Sequence, residues 1–246
     1  MKESACNQDI LNLLAGKAST KQLVFRQTKD VFKEFKALLK TIADELNSNI
    51  CKIDKKVVVE YFDNGELEAE IRFSGDALIF HMHTNTFTFD KSHFTNQHSY
   101  IKKEPLNGYF GLISMYNFLA DSLRYNRPND VGHLLGRLFI NREKHFFVDG
   151  KRQFAFMYNN PAEDIATEVT LRGIIEKTII IHSRTGIFRN NSMYNVMTLA
   201  TSQFFDNRIT PITTPITVAV THPINARTSV LSKPIKPARK CVSRDV

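Results

Sequence analysis

Tryptophan is absent from this chain of 246 residues, and cysteine occurs only three times. Cys6, Cys51 and Cys241 lie far apart, with no two at metal-ligand spacing, which argues against structural zinc and against a disulfide framework. An odd cysteine count without a framework fits a reducing compartment, so a cytoplasmic location is expected. Long apolar runs are missing too. The richest, Tyr109 to Ala120, is interrupted by Gly111, Ser114 and Asn117, well short of the roughly 20 apolar residues of a membrane-spanning helix. Met1 to Cys6 has no apolar core and carries Glu3, so no secretory leader is expected. There is no glycine-rich phosphate loop, dinucleotide fingerprint, nucleophile elbow or paired-histidine zinc motif. No motif therefore names a catalytic residue or a cofactor.

What is present is an ordinary globular composition, 42% hydrophobic and 24% charged, with an uneven charge. The net charge is +8. Residues 222–246 contribute six bases (Arg227, Lys233, Lys236, Arg239, Lys240, Arg244) against Asp245, together with Pro223, Pro234 and Pro237. So basic and core-poor a segment cannot offset the entropy of ordering itself, and it reads as a flexible basic tail. No Gly/Ser-rich linker divides the rest, so 1–221 is expected to form one domain. Ile209 to Thr217 reads as an extended edge segment or linker, because proline lacks a donor and threonine and isoleucine favour extended backbone.

Periodicity supplies the elements. Val24, Val31, Phe35, Leu38, Ile42 and Leu46 recur at helical spacing, which predicts a helix over 19–46, with Ser19 and Gln22 spaced as a capping box. From Val57 the period becomes two: Leu67, Ala69, Ile71 and Phe73 alternate with Glu66, Glu68, Glu70 and Arg72. Turn residues at Asp63-Asn64-Gly65 and Gly75-Asp76 bound this strand, giving a three-stranded meander. Further strands are expected at 86–89, near Tyr100, at 109–118 and at 134–140, with a helical alternative for 112–123. A hairpin joins 145–148 to 153–158 through Asp149-Gly150. Asn160-Pro161 predicts a helix running to about Lys177, which 178–181 either extends or follows as a strand, and 192–205 is a weaker helix candidate. The fold class is α+β: a curved antiparallel meander sheet packed against an N-terminal helix and one or two C-terminal helices. Strand phenylalanines such as Phe110, Phe139 and Phe147 read as sheet core rather than stacking platforms, and His93, His98 and His145 as structural histidines.

Two constellations carry chemical expectations. With Gly75-Asp76 as the turn, Glu70 faces His81 and Glu68 faces His83, and a three-residue loop at 63–65 sets Glu60 opposite Glu68. Glu68, Glu70, His81 and His83 then form a candidate metal or acid–base cluster, in which nearby carboxylates should raise both histidine pKa values. The spacing from Gly75 to His81-Met82-His83 is similar to half of the first cupin metal motif, but Phe87 and Thr88 stand where cupins carry glutamate, and the chain is not assigned to that family. The second constellation is a basic ridge on the first helix, Arg26, Lys29, Lys33, Lys36 and Lys40, suited to phosphates. Solvated charged faces are the simpler reading of both sets. Three functions follow in order: a non-catalytic binding or interaction protein, a nucleic-acid binder using the ridge and tail, and a metal-dependent enzyme built on the His/Glu cluster. The partner expected of the basic segments is nucleic acid or an acidic protein.

Overall fold

Helix opens the chain and reaches further than its apolar stripe. In the computed structural model, which describes residues 2–127, 129–150, 157–185 and 196–198, α1 (Lys2–Leu13) passes through a π-helical stretch, Leu14–Ala18, into α2 (Ser19–Ile50). The capping box is therefore not used: Ala18 is itself helical, at φ −69° and ψ −44°, with no side-chain cap, whereas a cap needs non-helical backbone. In α2 the residues Val24, Thr28, Val31, Phe35, Leu38 and Ile42 are buried, one stripe at 3.6-residue spacing.

Six strands follow, all antiparallel to their neighbours and in chain order: β1 (Val59–Asp63), β2 (Glu68–Phe73), β3 (Asp76–Met82), β4 (Gly111–Leu119), β5 (Val131–Ile140) and β6 (Phe146–Gly150). A short β7 (Val196–Thr198) pairs with β5. Between β4 and β5 the register shifts, Met115 facing Gly136 but Tyr116 facing Leu134, so Leu135 is a bulge residue that adds bend to the sheet. Small helices α3 (Phe94–Gln97), α4 (Ser99–Lys103) and α5 (Ala120–Arg124) sit in the connections, and α6 (Glu168–Thr185) follows β6. Among the described residues no helix is long and apolar enough to cross a membrane.

The alternation of β2 and β3 sends Ala69, Ile71, Leu78, Phe80 and Met82 to one face of the sheet, where they meet Val31, Phe35 and Leu39 of α2 and Leu171, Ile174 and Ile175 of α6. The rings of Phe35 and Phe80 lie 5.3 Å apart at its centre. Arg172 of α6 ties the two helices at the surface by an ion pair to Glu45 of α2, and it also pairs with Glu176 one turn along its own helix. Gly111 starts β4 where α2 comes nearest: a Cβ there would stand 2.0 Å from Thr28 Oγ1, so only glycine permits this approach.

The opposite face is half covered. Residues 83–110 cross it as a cap, anchored by reciprocal backbone bonds between Phe87 and Phe110 of 2.7 and 2.9 Å. Beneath the cap Phe110, Leu112, Phe139 and Phe147 form a second core with Ile101. A polar network fastens its far end. Asn141 Nδ2 donates to Tyr100 Oη at 2.9 Å, Tyr100 Oη donates to Glu143 at 2.5 Å, and Arg142 Nε donates to Asn107 Oδ1 at 2.7 Å.

Several local expectations are corrected. The region of Tyr100 is helical (α4), because the cap folds as short turns over the sheet instead of joining it. Residues 111–119 are strand and only 120–124 are helix, which resolves that ambiguity. Asp149 and Gly150 remain in β6 and are not a turn; of the return arm at 153–158 only Met157 and Tyr158 are described, and Tyr158 O accepts from Val148 N at 2.8 Å. Asn160 caps a turn, its Oδ1 accepting from Ala162 N at 3.1 Å. The helix begins eight residues later, where Thr167 and Thr170 exchange hydrogen bonds between hydroxyls and backbone N–H groups, and it continues through 178–181. Within 192–205 the described residues, Val196–Thr198, are strand. Residues 209–217 and the 222–246 tail lie outside the described residues.

Candidate ligand cleft

The turn between β2 and β3 falls one residue earlier than its glycine suggests. Ser74, not Gly75, takes the left-handed backbone, at φ +52°, and Phe73 pairs with Asp76. The ladder therefore slides by two residues without exchanging faces. Glu68 faces His81 and Glu70 faces Ile79, in place of the expected Glu70–His81 and Glu68–His83 pairs. Similarly, Glu60 faces Arg72 rather than Glu68, which sets opposite charges together and removes the expected repulsion.

The four candidate ligands part accordingly. Glu70, 1% exposed, is held by an ion pair with Arg72 and accepts from Asn64 Nδ2 at 3.2 Å. Glu68 accepts from the same amide at 3.1 Å. His83 lies past the end of β3, where its Nδ1 accepts from Asn85 N at 3.0 Å. Among the described residues no group of three or more His, Cys, Asp or Glu is placed to hold a metal ion. The expected rise in the histidine pKa values is also reversed. Burial, reinforced by His83, pushes His81 down to about 4, and burial lowers His83 as well.

The basic ridge is divided. Lys29 pairs with Glu66, and Lys36 pairs with Asp63 at 2.5 Å while donating to Gly65 O at 2.8 Å, so the β1–β2 loop neutralises both. Arg26, Lys33 and Lys40 remain exposed, with no ion pair among the described residues. They lie on the helix side of the sheet.

Across the other face four successive registers align a polar row. Glu68, His81, Ser114, Arg137 and Asp149 stand each directly opposite the next, from β2 to β6. Its last two members lie in a cleft of about 580 Å³. The floor of the cleft is Arg137 and Phe139 of β5 with Phe147 and Asp149 of β6; Phe89, His93, Phe94 and His98 of the cap form one wall, and Asn159 and Asn160 the other. Arg137 Nη1 donates to Asp149 Oδ2 at 3.3 Å. The Phe139 and Phe147 rings stack at 4.9 Å, and Phe89 stacks on His93 at 4.2 Å.

The cap wall is held from within. Asn96 Nδ2 donates to Phe89 O at 3.0 Å and Asp90 O at 2.8 Å, and Gln97 Nε2 donates to Lys91 O at 2.9 Å. His93 Nδ1 caps α3 by accepting from Thr95 N at 3.4 Å, which assigns the proton of the neutral ring to Nε2. Burial lowers the pKa of that ring against the opposing influence of Asp149 and Asp90. A second cleft, of about 550 Å³ between α2 and the start of the cap, is lined mainly by Lys21, Gln22, Thr84, Asn85 and Thr86 and has fewer rings.

Sequence reasoning missed this cleft. His93 and His98 read as lone histidines, and Phe139 and Phe147 as core. The missing signal is the pairing of Arg137 with Asp149, which a hairpin register for 134–149 would have supplied. The chain matches no protein-family model, no curated protein and no solved structure.

Proposed function

We propose that this chain is a non-catalytic binding protein and that its ligand occupies the cleft between the cap and β5–β6. The observation that carries this reading is the lining: aromatic walls and floor with a few convergent polar groups, in a volume typical of small-molecule sites. The internal hydrogen bonds of the cap support it further, since walls already ordered lose little entropy on binding. The nucleic-acid reading retains Arg26, Lys33 and Lys40 on the opposite side of the sheet, and the enzyme reading retains the Glu68–His81 neighbour pair. Both rank below the cleft, because neither set surrounds a cavity.

The test is saturation-transfer NMR of the intact chain against a mixed panel of small aromatic and aliphatic compounds, repeated on Asn159→Trp. Asn159 is exposed, so the variant should fill the cleft without unfolding the chain, which a melting curve checks. Aromatic hits that disappear in the variant support the reading. A panel without hits, or hits indifferent to the substitution, contradicts it.

A further inference from the structure

Among the described residues the cleft has one cation and one anion, and they are adjacent. Arg137 and Asp149 face each other across β5 and β6, with side chains 30% and 57% exposed. Only Nη1 of Arg137 and Oδ2 of Asp149 are engaged in their mutual bond. The remaining N–H groups of Arg137 and the second oxygen of Asp149 thus form a donor beside an acceptor on the cleft floor. Among the described residues no lysine lines the cleft. A carboxylate or phosphate ligand would meet Arg137 only by also meeting Asp149, and a simple cation would meet the reverse conflict. The complementary partner is a neutral edge that presents an acceptor next to a donor.

The walls select the shape. Phe94 is 43% exposed, its ring 4.6 Å from that of His93 and 5.3 Å from that of Phe147. Flat rings stack on such faces. Building on the binding reading above, we infer that the cleft takes a neutral, planar nitrogen heterocycle with a lactam edge, a ring C=O beside a ring N–H, as in guanine or hypoxanthine. Arg137 donates to the carbonyl oxygen and Asp149 accepts from the N–H, while the ring stacks against the cap wall. With the ring in that same orientation an adenine edge reverses the order, setting an amine against Arg137 and a ring-nitrogen lone pair against Asp149, and adenine meets the pair only with its ring turned over. The exposed ridge cations lie across the sheet, and among the described residues no second cation is placed to serve a phosphate in this cleft, so the free heterocycle is the proposed occupant.

Isothermal titration of the intact chain with guanosine, inosine and adenosine tests this directly. Guanosine and inosine should bind, with adenosine about tenfold weaker or more. Asp149→Asn and Arg137→Gln should each lower guanosine affinity about tenfold and narrow its lead over adenosine, with melting temperatures within a few degrees of the parent. Guanosine monophosphate should bind no tighter than guanosine. A guanine-containing single strand that binds tighter than guanosine, with steep loss in salt, would assign the lactam edge to a nucleic acid instead of a free heterocycle. Equal binding of guanosine and adenosine, or a preference that survives both substitutions, overturns the inference. If no nucleoside binds while other panel compounds remain sensitive to Asn159→Trp, the lactam class is wrong and the cleft reading stands. If that substitution affects no compound, both fall.

Discussion

Arg137 on β5 and Asp149 on β6 are direct cross-strand partners, joined by a 3.3 Å hydrogen bond at the end of a polar row that crosses five strands. Both side chains reach solvent, and exposed pairs contribute little to stability. Arg137→Gln and Asp149→Asn should therefore each shift the urea-derived stability by no more than about 1 kcal/mol. A loss of several kcal/mol would make the pair a structural element and weaken its assignment to a ligand.

The core on the helix side should behave differently. Phe35 and Phe80 are fully buried against each other, so truncating either to alanine should cost about 3–5 kcal/mol. Phe73, half-buried beside His182 at 5.7 Å, should cost less. Denaturant titration of the three variants gives the ranking, and equal losses would mean that the edge of the sheet is packed as tightly as its centre.

Gly111 offers a test of the helix–sheet approach. Gly111→Ala places a methyl group against Thr28 Oγ1, and overpacking of this kind costs about 1–3 kcal/mol. Thr28→Ala removes the nearest atoms, so the double variant should recover part of the loss. Strict additivity in the double-mutant cycle would show that the two residues do not meet.

Acid should unfold the chain through His81. Its folded pKa of about 4 lies below the unfolded value of about 6.5, so the unfolded state takes up a proton first. Its contribution is fully present above pH 6.5 and is lost as pH falls toward 4, by up to about 3 kcal/mol. Below that value the dependence on this group levels off. Denaturation at pH 7.5 and pH 5.0 should show this slope in the parent chain and a shallower one in His81→Gln. The carboxylate-paired histidine expected from the sequence would reverse the sign.

The sequence revealed the elements better than the contacts between them. The stripe of α2 and the alternation of β2 and β3 are visible because one period repeats through each, and the faces follow from parity alone. Register is less legible. Ser74 takes the positive φ that Gly75 invites, and this shift of one residue in the turn moves every opposite pair by two. The inner face absorbs the change, apolar residues still meeting apolar ones, so hydrophobic pattern could not expose the error. The expected Glu70–His81 and Glu68–His83 pairs depended on the register and did not survive it, while Glu68 and His81 came to stand opposite each other. The start of α6 was misplaced because Asn160 uses its capping geometry to close a turn, while Thr167 and Thr170 do the capping. The cleft needs the β5–β6 register and the path of the 83–110 cap together, and no short-range pattern encodes that path.

The most direct measurement is aromatic NMR of the intact chain, with ring protons of His93, Phe94, His98 and Phe147 assigned, during titration with guanosine. Shifts are expected at these four rings, with the signals of Phe25 and Tyr125, outside the cleft, unmoved. Shifts centred on α2, or none at the cleft rings at saturating nucleoside, would contradict it.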